Sequence, residues 1–134
     1  MAQGNILVVD DDEDVRRLLM EYLTERSHVH VDGARDGVEA LHQIAIKPYA
    51  VVVLDVIMPH MSGVDFLSSL DALMSDPSVK SLDEPPAVLV ITSMPAEDVR
   101  ADQLQHRFPS FVRGVLRKPL DIPTLGNRVV ALLG

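Results

Sequence analysis

The 134-residue sequence contains no cysteine and no tryptophan, and only 4% of it is aromatic. Without cysteine there is no disulfide, no thiolate nucleophile and no cysteine-ligated zinc, which is compatible with a reducing compartment. The fold must then rest on an aliphatic core, and the 47% of hydrophobic residues can supply one in a chain the size of one domain. No apolar run approaches the roughly 20 residues of a membrane span. Met1 to Asn5 is too short for a signal peptide. A cytoplasmic location without membrane association is therefore expected. Basic residues are also scarce: 12 Lys and Arg stand against 20 Asp and Glu, a formal net charge of −8. Such a balance argues against a surface for nucleic acid, which needs a basic patch to displace counterions from phosphates.

What is present is an alternation of short apolar runs and helical periodicity. Val51 to Leu54 are consecutive and mostly β-branched, the pattern of a strand buried on both faces in a parallel sheet, and Asp55 closes it. Ile6 to Val9 is a similar run, closed by five acids, Asp10, Asp11, Asp12, Glu13 and Asp14. Some of these fit a helix N-terminus, whose dipole favours negative charge. Val15, Leu18, Leu19, Tyr22 and Leu23 then share one helical face. Val29 and Val31 alternate with His28, His30 and Asp32, which predicts a half-exposed edge strand there. Asp36 and Gly37 read as a turn, and Val38, Leu41, Ile44 and Ala45 as a helix stopped by Lys47 and Pro48. After a loop at His60 to Gly63, Val64, Leu67, Leu70, Leu73 and Met74 form a helix. Ser75 to Pro86 lacks periodicity and reads as a long loop. Ala87 to Ile91 is a fourth strand, followed by Thr92 and Ser93. Glu97 to Phe108 is a weakly amphipathic helix expected to pack loosely. Val112 to Leu116 is the fifth strand, followed by Arg117, Lys118 and Pro119. Leu125, Val129, Leu132 and Leu133 mark a last helix, weakened by Gly126.

Strand and helix thus alternate five times, which predicts an α/β fold: a five-stranded parallel sheet of order 2-1-3-4-5, helices on both faces, flavodoxin-like. In such a sheet the strand ends carrying Asp10/Asp11, Asp55, Thr92/Ser93 and Lys118 open on one edge, where ligands bind. Clustered carboxylates without Cys or paired His suit a hard cation such as Mg²⁺. A lysine and a hydroxyl facing them suit phosphoryl oxygens.

With these residues in this order, the chain resembles a response-regulator receiver domain of two-component signalling, of the chemotaxis-regulator kind, over essentially its whole length. The resemblance rests on the acidic pair Asp10 and Asp11, the phosphoacceptor position Asp55, then Met58, Pro59 and Gly63, the switch hydroxyl Thr92, and Lys118-Pro119. It implies one receiver domain over residues 1–134; with no output domain expected in that length, the chain would act by binding a partner or be a piece of something larger. Asp55 would take a phosphoryl group from a histidine kinase or phosphotransfer protein, with Asp10, Asp11, Asp55 and the backbone carbonyl of Ile57 around Mg²⁺. Lys118 and Thr92 would bind phosphoryl oxygens, and Lys118-Pro119 would be a cis peptide. The protein would be a phosphoacceptor that assists its own phosphorylation and dephosphorylation, not an enzyme acting on a separate substrate. The signal would pass to the face of helix 4, strand 5 and helix 5, and so to an unidentified downstream protein; a homodimer stays open. One departure is Val115, where the family usually carries an aromatic switch. Another is the apolar pair Ile57 and Met94, at rim positions where polar residues would manage water, which predicts slow loss of the phosphoryl group.

Rival readings have specific footholds. Asp10 and Asp12 have the nucleophile and acid spacing of a haloacid-dehalogenase-like phosphatase, and Val90, Ile91 and Thr92 mimic its second motif. Only Asp121 stands where an acid pair should follow the lysine. A receiver-like module that binds partners without phosphorylation is a third reading. His28 and His30 on one strand face would suggest a metal, although no further ligand is placed to complete the set.

Overall fold

The computed structural model describes residues 4–55, 63–78, 85–93 and 100–134, with Arg100 to Asp102 described in backbone only. Its elements in order are β1 (Ile6–Val9), α1 (Glu13–Ser27), β2 (Val31–Ala34), α2 (Gly37–Ile46), β3 (Val51–Asp55), α3 (Gly63–Met74), β4 (Ala87–Thr92), α4 (Arg100–Arg107), β5 (Val112–Arg117) and α5 (Ile122–Leu133). The sheet has the predicted order β2-β1-β3-β4-β5, and every neighbouring pair is parallel. Among the described residues, no helix is long and apolar enough to cross a membrane.

Successive side chains of a strand point to opposite faces, so each inner strand feeds two cores. Leu7, Val9, Val52, Leu54, Val88 and Val90 pack with Ile44, Phe66, Leu67, Leu70 and Leu104 on the α2, α3 and α4 side. Ile6, Val8, Val51, Val53, Leu89 and Ile91 pack with Leu19, Leu23, Leu125 and Val129 on the α1 and α5 side. Both layers cover β1, β3 and β4, which is why those strands are continuous apolar runs.

Several local expectations need correction. The strand placed at His28 to Asp32 begins at Val31 and ends at Ala34. His28 instead caps α1 in the left-handed conformation, with φ of 61°, its N–H donating to Thr24 O. His28 and His30 therefore share no strand face. Gly37 is the first residue of α2 and Asp36 its N-cap, accepting from Glu39 N, so the expected turn is a helix start. Leu18, expected inside, is 56% exposed. Of the helix expected over Glu97 to Phe108, residues 97–99 lie outside the described residues, and Arg100–Arg107 is helical as expected, with Leu104 buried against the sheet and Phe108 buried just beyond its end.

Gly126 is a close approach, not a fault in α5. A Cβ there would lie 2.7 Å from the Tyr22 ring of α1, so the glycine lets the two helices meet. A second polar cluster sits at the other end of the sheet. Asp32 accepts from Lys47 Nζ at 2.8 Å and from Tyr49 Oη at 2.6 Å, and His30 Nε2 lies 2.6 Å from its other oxygen. Burial alone would raise the Asp32 pKa, but these hydrogen bonds outweigh it and hold the carboxyl below its ordinary value. Burial, and next the same contact with Asp32, push the Tyr49 phenol up.

Candidate functional site

The run of five acids divides into three roles. Asp10 follows β1, its N–H donating to Ala34 O at 3.1 Å, which extends the pairing with β2 by one residue. Asp12 is the N-cap of α1, its carboxylate accepting from Asp14 N at 2.9 Å and Val15 N at 3.2 Å. Glu13 and Asp14 lie in the first turn, where the helix dipole favours them. With its carboxylate committed to the cap, Asp12 is poorly placed for the acid role a dehalogenase-like phosphatase would give it.

Parallel register brings the predicted strand ends to one edge. Val9 pairs with Leu54, Asp55 with Ile91, and Thr92 with Arg117. Asp10, Asp11 and Asp55 each offer an oxygen within 4.8 Å of the others. Asp10 and Asp55 are buried, at 4% and 6% exposure. Asp11 is exposed. Lys118 Nζ reaches Asp55 Oδ2 at 3.3 Å. Thr92 is fully buried, and its carbonyl accepts from Lys118 N at 2.8 Å, tying β4 to the residue after β5. The Lys118-Pro119 peptide is cis, as expected.

The electrostatics are those of a site short of positive charge. Burial raises the Asp10 pKa, and the charges of Asp55 and Asp11 push the same way. A hydrogen bond from Asp12 N at 2.9 Å and the Lys118 ammonium oppose them without cancelling the effect. Three carboxylates, two of them buried and sharing one lysine, form an all-oxygen donor set that fits a hard divalent cation better than a zinc-like ion. A cation there would also relieve the repulsion that the lysine leaves.

The structure thus brings together Asp10, Asp11, Asp55, Thr92 and Lys118. Ile57, Met58, Pro59, His60 and Met94 lie outside the described residues. Gly63 opens α3 and is buried. Val115 is partly buried against the α2–α4 core and pairs with Val90, so an aliphatic side chain stands where an aromatic was looked for. Arg16 is a site neighbour that sequence reasoning missed. Its Nη1 donates to Asp10 O at 2.8 Å, but in the sequence it looked like the solvent side of an amphipathic helix.

The family model described as "Response regulator receiver domain" matches residues 6–130. Response regulator RR06 of Streptococcus pneumoniae is 30% identical over 129 residues, which cover 96% of this chain and 52% of that protein. The chain thus spans about half the length of that relative. Response regulator receiver protein CpdR of Brucella abortus is 27% identical, over 96% of this chain and 95% of its own. The receiver domain of Francisella response regulator 1452 superposes with a TM-score of 0.75 at 25% identity, covering 97% of this chain and 96% of that one.

Proposed function

The chain belongs to the response regulator receiver domain family, a family of signalling domains, and from that premise we propose that Asp55 is its phosphoacceptor and that the protein is a phosphorylation-driven switch. The observation that carries this reading is the contact of Lys118 Nζ with Asp55 Oδ2 at 3.3 Å, beside Asp10 and Asp11. It supports the reading because a carboxylate that is to take a phosphoryl group needs both a cation and a metal-binding acidic pair within reach.

In the reaction, a carboxylate oxygen of Asp55 attacks phosphorus in line with the leaving group. That group is the imidazole nitrogen of a kinase phosphohistidine or the acyl oxygen of a small phosphodonor. The new O–P bond forms as the old bond breaks, and the leaving imidazole takes a proton from solvent. Little covalent work falls to the protein; positioning and charge neutralisation are its contribution. Lys118 moves from pairing the free carboxylate to pairing a phosphoryl oxygen. The Thr92 hydroxyl donates to another. Mg²⁺ held by Asp10, Asp11, Asp55 and the Ile57 carbonyl would neutralise the carboxylates and the charge on the phosphoryl group.

Output would run through Thr92, whose carbonyl already holds Lys118 N, to the face of α4, β5 and α5, where a downstream protein would read it. With Val115 in β5, that coupling works without an aromatic ring at this position. A histidine kinase or phosphotransfer protein is the proposed donor, and the cytoplasm the proposed location. Exposure to acetyl phosphate and Mg²⁺ followed by intact-mass measurement tests the assignment. Wild type should gain one phosphoryl group and Asp55→Asn none; equal labelling of the two would refute it.

A further inference from the structure

We propose that Arg16 is a positioning residue that fixes the peptide plane between Asp10 and Asp11, and so the mutual orientation of two ligands of the cation site; this rests on the reading of those residues as ligands given above. Its guanidinium donates from Nη1 to the Asp10 carbonyl at 2.8 Å. That oxygen belongs to the planar unit that also carries the Asp11 N–H, so holding it restricts rotation on both sides of the bond joining the two residues. The remaining groups of Asp10 are also anchored. Its N–H donates to Ala34 O at 3.1 Å, and its Oδ1 accepts from Asp12 N at 2.9 Å. Asp11, exposed on the edge, takes its direction from the planes on either side of it. Arg16 holds the first of them, with a charged donor that makes a stronger bond than a neutral one.

The stems of Arg16 and Met20 run close over Gly33 of the edge strand. A Cβ at that position would lie 2.6 Å from Met20 Sδ and 3.1 Å from Arg16 Cδ, so the stem of Arg16 passes over a place kept free of side chain. The half-buried setting shields the bond from water, unlike the exposed Arg17 one residue on, whose contact with Glu13 at 3.5 Å is a loose surface pair.

The test is Mg²⁺ titration of the ¹⁵N-labelled full chain by NMR, with the thermal midpoint of each metal-free protein measured in parallel. Removing an outer-shell partner of a metal site commonly weakens affinity about 10- to 100-fold. Arg16→Ala should raise the Mg²⁺ dissociation constant by about tenfold. Arg16→Lys, which keeps a charged donor on a shorter stem, should recover most of that loss. Gly33→Ala, which crowds the stem while leaving the guanidinium in place, should weaken Mg²⁺ in the same direction. This second route decides the matter if Arg16→Ala does not fold. A role only in stability would lower the metal-free midpoint and leave the dissociation constant unchanged, and that result overturns the inference. If wild type itself shows no saturable Mg²⁺ response, the cation reading of the site fails first, and the two failures are told apart by that control.

Discussion

Replacing Asp10 by asparagine should stabilise the metal-free protein at neutral pH, although it removes a proposed ligand. Asp10, Asp11 and Asp55 present oxygens within 4.8 Å of one another. At an effective dielectric of about 20, a pair of unit charges that far apart repels by roughly 3.5 kcal/mol. Lys118 offsets part of this through Asp55, and burial adds to the cost of the Asp10 charge. Asparagine keeps the Oδ1 acceptor for Asp12 N and drops the charge, so a net gain of about 1–2 kcal/mol is expected. For a domain of this size that raises the thermal midpoint by roughly 3–8 °C. The pH dependence follows from the sign of the shift. The folded pKa of Asp10 lies above its ordinary value, so the folded state binds the proton more tightly. The resulting stability is present below the ordinary value and is lost as pH rises through the folded pKa. The advantage of Asp10→Asn should therefore be largest at neutral pH, vanish near pH 4, and shrink when saturating Mg²⁺ neutralises the wild-type cluster. Circular-dichroism melts with EDTA and with Mg²⁺ would read this. An Asp10→Asn protein that melts at or below wild type in EDTA at pH 7 would refute the reasoning.

Asp32→Asn should destabilise by about 1–2 kcal/mol at pH 7, because Lys47, Tyr49 and His30 converge on that carboxylate and hold its folded pKa below the unfolded one; urea melts should show the difference from wild type closing as pH falls below about 4. Gly126→Ala should cost about 1 kcal/mol, since crowding of Tyr22 outweighs the helix-propensity gain of about 1 kcal/mol, and in a Tyr22→Ala background the same change should stabilise instead. The apolar pair Ile57 and Met94 predicts a slow-decaying phosphoprotein, so Ile57→Asn with Met94→Glu should lose phosphoryl faster than wild type in a decay time course; equal rates would remove that argument.

What could be read from the sequence follows physical lines. β1, β3 and β4 are covered on both faces, and such strands are continuous apolar runs whose ends are marked by Asp10, Asp55 and Thr92. Those ends were legible for that reason, and the sheet order followed from five alternations. β2 was misplaced because an edge strand of four residues containing Gly33 has no run to betray it, while Val29 and Val31 imitate alternation across a helix cap. The left-handed His28 carries no sequence mark, since such caps usually fall to glycine. Leu18 fits the apolar period of α1 yet points to solvent, because the sheet covers a narrower stripe than the period suggests. The Asp32 cluster joins Asp32 to Tyr49, 17 residues further along the chain, and Arg16 looks like any solvated helix residue. Neither could be read without the chain's path in space. The acid run was legible only in part: its sequence showed that some of the five carboxylates suit a helix N-terminus, whereas the structure shows which, with Asp12 as the cap, Glu13 and Asp14 in the first turn, and Asp10 and Asp11 left beside Asp55.

The most direct test of the central claim is to locate the phosphoryl group itself. The full chain would be treated with acetyl phosphate and Mg²⁺, reduced with borohydride so that an aspartyl phosphate becomes homoserine, digested, and mapped by tandem mass spectrometry. Homoserine at position 55 alone, absent when EDTA replaces Mg²⁺, is the predicted result. Homoserine at Asp10 or Asp11, or none anywhere while the protein still binds Mg²⁺, would contradict it.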